Sequence, residues 1–188
     1  MKIILTRHGE TIENREGIVQ GHLPGKLTKE GIEQAKKLAL RLKHERLDCI
    51  YSSDLKRASD TAKEIVKYHK NTPFILTEKL RETNRGSKTG MKISESEKIK
   101  VNDEETKEDM AKRGKQIIDE AYSKYPKGTV LFVSHGKIGR ILMTVIMNKP
   151  VEYAYKIEPQ QNTSVSIFEI MEDKRHKIHF LNNIDHLK

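Results

Sequence analysis

Two His-Gly pairs follow directly on short apolar runs of the chain. One lies in Arg7–Glu10 and the other in Ser134–Gly136. A single histidine at the end of a strand commonly has a structural hydrogen-bonding role, although an imidazole can also act as a nucleophile or proton carrier near neutral pH. Because the pattern occurs twice, it favours a shared chemical site over two independent structural histidines.

Two further polar segments follow apolar runs in the same way. The segment Tyr51–Arg57 brings Arg57, and Leu80–Glu82 brings a carboxylate. A guanidinium group binds carboxylate or phosphate oxygens through paired hydrogen bonds, and a carboxyl group transfers protons. The ends of neighbouring strands converge in space, so we expect these side chains to meet at one edge of a sheet.

The elements that must position these residues are predicted from apolar periodicity and from capping residues. The predicted strands are Lys2–Thr6, Asp48–Tyr51, Phe74–Leu76, Thr129–Ser134, Val165–Ile170 and Lys177–Leu181. The predicted helices run from the N-cap Thr28 to about Lys43, from a cap at Ser53 or Asp54 through Val66, over Glu105–Tyr125, and from Ile138 to about Asn148. The polar stretch Gly86–Asp103 is predicted to be a loop.

Strands that alternate with helices predict an α/β fold with a largely parallel sheet flanked by helices. The 188 residues show no break in composition, which indicates a single domain over residues 1–188. The formal net charge of +9 suits an anionic partner, but lysines interspersed with glutamates and an aromatic content of 5% favour a solvated basic surface over a nucleic-acid site.

Several other classes of protein are disfavoured by the sequence. The one cysteine, Cys49, lies in an apolar stretch and cannot form a disulfide framework or a zinc site by itself, so we expect it to be buried. No apolar stretch approaches the length of about 20 residues that spans a bilayer, and the chain shows no signal-peptide pattern. We therefore expect a cytoplasmic protein with no membrane partner.

These segments, in this order, resemble the histidine phosphatase superfamily, the phosphoglycerate-mutase-like group. Its Arg-His-Gly-Glu/Gln-Thr/Ser signature is present as Arg7–Thr11. The other matching positions, spread over nearly the whole chain, are Asn14, Gln20-Gly21, Leu27-Thr28, Gly31, Ala35, Ser53-Asp54-Leu55, Arg57-Ala58, Thr61-Ala62, Leu80-Arg81-Glu82, Gly86, Val133–Gly136 and Asn162–Val165. The resemblance is strongest to the broad-specificity phosphatase branch.

The resemblance implies a phosphoglycerate-mutase-like fold and a phosphomonoesterase that acts on a small phosphorylated metabolite. It makes His8 the nucleophile that carries the phosphoryl group, Glu82 the proton donor, and His135 a catalytic member of a phosphate clamp with Arg7 and Arg57. Substrate contacts are further expected from Asn14, Gln20 and Gly21. Neither a metal nor a cofactor is implied.

Two alternatives remain open from the sequence. A phosphoglycerate mutase shares the same core but holds a bisphosphate intermediate under a lid, and a binding module could keep the pocket only to recognise a phosphorylated partner. The segment Gly86–Asp103 is short and polar, which predicts a short lid and an open site. A homodimer is a further expectation.

Overall fold

The computed structural model describes residues 1–173 and 175–188. A six-stranded sheet forms its centre, in the order β3-β2-β4-β1-β5-β6. The strands are β1 (Lys2–Arg7), β2 (Cys49–Ser53), β3 (Phe74–Thr77), β4 (Thr129–Ser134), β5 (Val165–Ile170) and β6 (His176–Asn183). The helices are α1 (Ile12–Arg15), α2 (Lys29–Leu42), α3 (Lys56–Val66), α4 (Ile93–Ser96), α5 (Lys107–Lys124) and α6 (Gly136–Ile146), with short 3-10 turns at Glu78–Leu80, Gly86–Lys88, Val151–Lys156 and Asp185–Leu187.

The four strands β1 to β4 are parallel, which confirms the predicted α/β class. Strands β5 and β6 are antiparallel additions at one edge. The parallel strands are apolar on both faces because both faces are covered. Ile3 and Leu5 pack in a core with α5 and α6, whereas Ile4 packs in a second core with α2 and α3.

The register of the central strands brings the two His-Gly pairs together. Arg7 at the end of β1 is aligned with Ser134 at the end of β4. His8 directly follows β1 and His135 directly follows β4, so the two histidines leave the sheet side by side. In β2, Ser52 is aligned with Val133, which sets Ser53 beside the same edge. The predicted convergence of strand ends is therefore confirmed.

The cap predicted for α3 is wrong. Neither Ser53 nor Asp54 caps this helix, because β2 extends through Ser53 and Leu55 occupies the N-cap position without a side-chain bond. The Ser53 hydroxyl instead accepts a hydrogen bond from the Leu55 N–H at 3.2 Å. Asp54 forms an ion pair with Arg81, which the local sequence pattern could not reveal.

The predicted loop at 86–103 is also only partly correct. It contains the 3-10 turn Gly86–Lys88 and the one-turn helix α4. A single turn is too short to show a helical period in the sequence. α5 begins at Lys107 rather than Glu105, with Thr106 as its N-cap.

Cys49 is buried, as predicted. None of the helices within residues 1–173 and 175–188 combines the length and apolarity needed to cross a membrane.

Candidate active site

The His8 side chain is held in one tautomer at the end of β1. Its Nδ1 lies 2.7 Å from the carbonyl oxygen of Gly9, and its Nε2 lies 3.3 Å from Nε of Arg57. A carbonyl can only accept, so Nδ1 carries the proton and donates it. Nε2 consequently keeps its lone pair, which is the state that a nucleophile requires.

Charge and burial both keep this imidazole neutral. His8 is only 3% exposed. Burial lowers the pKa of His8 well below its usual 6.5, and the positive charges of Arg57 and Arg7 lower it further. At neutral pH the Nε2 atom is therefore unprotonated without a separate general base.

Arg57 is fixed by the loop that precedes α2. Its guanidinium donates from Nη2 to the carbonyl of Gly21 at 3.0 Å and from Nη1 to the carbonyl of Leu23. Gly25 has φ +67°, and a Cβ there would lie 2.9 Å from Cδ of Arg57, so the loop closes tightly on this side chain. Burial lowers the pKa of Arg57 to about 10, which leaves it charged at neutral pH.

Arg7 supplies the second guanidinium. Its Nη1 donates to the carbonyl of Gln160 at 2.6 Å, while its buried Nε has no partner among the described residues. Burial lowers the pKa of Arg7. Two fixed cations thus flank His8 and suit a doubly charged phosphoryl group.

His135 lies beside His8 and is fully buried. The two ring centroids are 5.1 Å apart, and His135 Nε2 lies 2.8 Å from the hydroxyl of Ser53. Its Nδ1 is buried and has no partner in the described part of the chain. Burial and the charge of Arg57 lower the pKa of His135 well below its usual value, so this ring is also neutral.

Glu82 lies at the first turn of α6 rather than in a surface ion pair. Its carboxylate accepts hydrogen bonds from the N–H groups of Thr83, Lys137 and Ile138 at 2.9, 3.1 and 3.1 Å. The neighbouring arginines have other partners: Arg81 pairs with Asp54 and Glu78, and Arg85 pairs with Glu104. Glu82 is therefore free to face the pocket.

The amide of Asn14 is oriented by a capping box. Its Oδ1 accepts the N–H of Thr11 at 3.2 Å, and Thr11 caps α1 through its own hydroxyl. With Oδ1 engaged, the amide nitrogen remains available as a donor. Asn162 donates to the carbonyl of His8 at 2.9 Å, which ties the segment after the Val151–Lys156 turn to His8.

A cavity of about 230 Å³ joins these groups. It is lined by seven of the eight residues expected from the sequence: Arg7, His8, Asn14, Gln20, Gly21, Arg57 and Glu82. His135 contacts His8 from the buried side and does not line the cavity. Within residues 1–173 and 175–188, no three His, Cys, Asp or Glu side chains are grouped so that they could hold a metal ion.

Several cavity residues were missed from the sequence. Ile18, Val19, Ile93, Ser96 and Glu97 form its outer wall, and Arg85 and Lys137 flank Glu82. The bridge between Ile18 and Lys92 brings α4 to the site, and this long-range pairing leaves no local signal. Ser53 belongs to the segments that carry the resemblance, whereas its hydrogen bond to His135 has no signal in the sequence.

Comparison with known proteins finds relatives along nearly the whole chain. The sequence profile of the "Histidine phosphatase superfamily (branch 1)" matches residues 3–184. Phosphoglycerate mutase-like protein 4 of Arabidopsis thaliana is 30% identical, over 100% of this chain and 87% of that protein. A broad-specificity phosphatase of Saccharomyces cerevisiae is 32% identical, over 100% of this chain and 87% of its own. Among solved structures, YhfR of Bacillus stearothermophilus superposes with a TM-score of 0.92 at 26% identity, covering 100% and 99% of the two chains.

Proposed function

This chain belongs to branch 1 of the histidine phosphatase superfamily and is a phosphomonoesterase, and we propose that His8 carries its phosphoryl group. The observation that supports this role is the state of the His8 ring. Its Nδ1 is bound to the Gly9 carbonyl, its unprotonated Nε2 lies 3.3 Å from Nε of Arg57, and the positive charge of Arg7 also acts on the ring. Among the described residues that line the cavity, His8 is the histidine whose ring is held in this state.

In the first step His8 Nε2 attacks phosphorus, and the bond from phosphorus to the ester oxygen breaks. Arg57 Nε, which donates to Nε2 over 3.3 Å, transfers this hydrogen bond to a phosphoryl oxygen as the new bond forms. Arg7 and the amide of Asn14 bind further phosphoryl oxygens. Glu82 donates a proton to the leaving oxygen, so that an alcohol departs.

In the second step a water molecule attacks the phosphohistidine. Glu82, now a carboxylate, takes a proton from this water, and the bond from phosphorus to Nε2 breaks. Inorganic phosphate leaves, and His8 and Glu82 return to their starting states. In this scheme Gln20 and Gly21 enclose the phosphoryl group, and the carbonyl of Gly21 also holds Arg57.

His135 acts through a neutral ring. Its unpartnered Nδ1 is buried beside His8, and its Nε2 is bound to Ser53. We assign it to the buried side of the phosphate clamp. The substrate is a small phosphate monoester, and a cytoplasmic location remains the expectation from the sequence.

The structure gives no support to the two alternative functions. A mutase needs a cover that keeps water from the phosphohistidine. Here the outer wall of the cavity is the one-turn helix α4, where Ile93 is 46% exposed and Glu97 is also exposed. A silent binding module does not need a carboxylate such as Glu82 beside the nucleophile.

A phosphoenzyme experiment tests the proposal. Brief incubation with a ³²P-labelled monoester should label the wild type with a phosphoryl group that is labile in acid and stable in alkali, located at His8. The variant His8→Asn should lose turnover by about 1000-fold or more and take up no label, while its circular dichroism spectrum stays unchanged. Label on a serine, aspartate or cysteine would contradict the mechanism.

A further inference from the structure

A second cavity, of about 500 Å³, adjoins the phosphoryl pocket. It lies between the segment after Glu82, the start of α5, and α6. Arg85 and Lys137 line both cavities, so the two cavities meet at these side chains. We propose that this second cavity, the distal cavity, binds an anionic group on the leaving side of the substrate through Lys137 and Arg140.

The charges of the distal cavity support an anionic ligand. Its lining has five basic residues and three acidic ones. Glu104 is paired with Arg85 at 2.7 Å and with Lys88 at 3.0 Å, and Glu105 is paired with Arg113 at 2.6 Å.

The third acidic residue is Glu108, which is exposed on the first turn of α5 next to Lys107. In contrast, Lys137 and Arg140 have no carboxylate within ion-pair distance in the described part of the chain. The fifth basic residue, Lys107, lies over the ring of Tyr155, 4.4 Å from its centroid. Lys137 and Arg140 are therefore the two cations that remain for a ligand.

The position of Glu82 directs the leaving group toward these cations. This inference rests on the proposed role of Glu82 as the acid that protonates the leaving oxygen. The carboxylate accepts the N–H groups of Lys137 and Ile138, so the ester oxygen must lie at the first turn of α6. Arg140 follows Lys137 by three residues on the same helix, so the two side chains are neighbours on one face.

This placement names a substrate class. A monoester whose leaving group carries a carboxylate or a second phosphate would set its phosphoryl group beside His8 and its second anion beside Lys137 and Arg140. Both anions accept charge-assisted hydrogen bonds from lysine and arginine. An apolar leaving group would instead pack against Ile18 and Ile93 on the other side of the pocket.

Binding without turnover provides the test. The His8→Asn variant should bind 3-phosphoglycerate or glycerol 1,3-bisphosphate about tenfold more tightly than glycerol 3-phosphate, as measured by titration calorimetry. The first two probes separate a carboxylate from a second phosphate. Adding Lys137→Gln or Arg140→Gln should reduce this preference about threefold or more. The control is Lys70→Gln added to His8→Asn, which should leave this preference unchanged. Lys70 is exposed and precedes β3, so it lies at the amino ends of the strands, opposite the pocket.

The outcomes separate this inference from the proposed function. Two results would overturn the distal cavity as an anion subsite. One is that His8→Asn binds the two-anion probes and glycerol 3-phosphate with nearly equal dissociation constants. The other is that the preference for the two-anion probes survives both Lys137→Gln and Arg140→Gln. Failure of the wild type to hydrolyse nitrophenyl phosphate would count against the proposed function. The anion subsite would still be tested by calorimetry, because the ratio of dissociation constants does not depend on turnover.

Discussion

The buried imidazoles of His8 and His135 link the stability of this protein to pH. Both have folded-state pKa values well below 6.5, the value expected in the unfolded chain. Below pH 6.5 the unfolded chain therefore binds protons that the folded chain does not. The free energy of unfolding should fall as pH falls, by about 1.4 kcal/mol per pH unit for each histidine until its folded pKa is reached.

This prediction is checked by urea unfolding at pH 7.5 and pH 5.5. The His8→Asn variant should lose about 1 kcal/mol less stability between these pH values than the wild type, because the contribution of His8 is gone. The change with pH is the readout, so any constant effect of the substitution cancels. The same loss in both proteins would show that His8 titrates normally when folded.

Glu82→Gln should distinguish leaving groups. The variant should lose about 100-fold or more in kcat/KM on alkyl phosphates and far less on nitrophenyl phosphate, whose anion departs with little proton transfer. The amide keeps the shape of the side chain, and its one oxygen can still accept the hydrogen bonds of Thr83 and Ile138 that Oε1 of Glu82 accepts, whereas the bond from the Lys137 N–H is lost. Equal losses on both substrates would assign Glu82 to binding or to phosphoenzyme hydrolysis, which burst kinetics can separate.

At the scale of elements, α5 holds the segment that carries Glu82. Arg113 donates to the carbonyls of Lys79 and Arg81 at 2.9 and 2.7 Å, and it forms a two-point ion pair with Glu105. These bonds fix the chain within and directly after the 3-10 turn that leads to Glu82. Arg113 is thus a positioning residue for the proposed acid.

Arg113→Gln should reproduce the leaving-group dependence of Glu82→Gln in weaker form. We expect a larger loss of kcat on alkyl phosphates than on nitrophenyl phosphate, together with a loss of about 1–3 kcal/mol in stability from the unpaired carbonyls and Glu105. Arg46→Gln is the control, because this side chain is 91% exposed. A loss of stability with no change in substrate dependence would limit Arg113 to a structural role.

The elements that sequence patterns predicted are those with local signals. β4 matches its predicted bounds because its apolar run is bounded by polar residues, and α2 matches because Thr28 caps it and its buried face repeats. The part of the site that follows strand ends was predictable, because the ends of neighbouring strands meet at one edge of the sheet. The outer wall and the distal cavity were not, because they depend on contacts between segments far apart in the chain, such as Ile18 with Lys92.

For the whole molecule, we predict hydrolysis rather than mutase activity. With 3-phosphoglycerate, release of inorganic phosphate should exceed formation of 2-phosphoglycerate by about tenfold or more, because the outer wall at α4 leaves the phosphohistidine open to water. Both products are measured in one sample, with and without added bisphosphoglycerate. Faster interconversion than phosphate release would assign the chain to the mutases.

Activity should also survive exhaustive chelation. In the proposed mechanism Arg7 and Arg57, both fixed by backbone carbonyls, provide the positive charge that a divalent cation supplies in many phosphatases. The measurement is the rate on nitrophenyl phosphate before and after dialysis against a chelator. Loss of activity that magnesium or zinc restores would contradict this prediction.

The place of β1 in the sheet has a consequence for how the protein is made. β1 pairs with β4 and β5, whose residues are translated more than 120 positions later. During synthesis Ile3, Ile4 and Leu5 are therefore exposed, without their strand partners, until most of the chain has left the ribosome. Such an exposed apolar strand can pair with other chains, so the nascent protein has a long interval of vulnerability to aggregation. Because His8 directly follows this strand, the candidate active site cannot assemble until β4 and β5 have been made, although His8 is among the first residues translated.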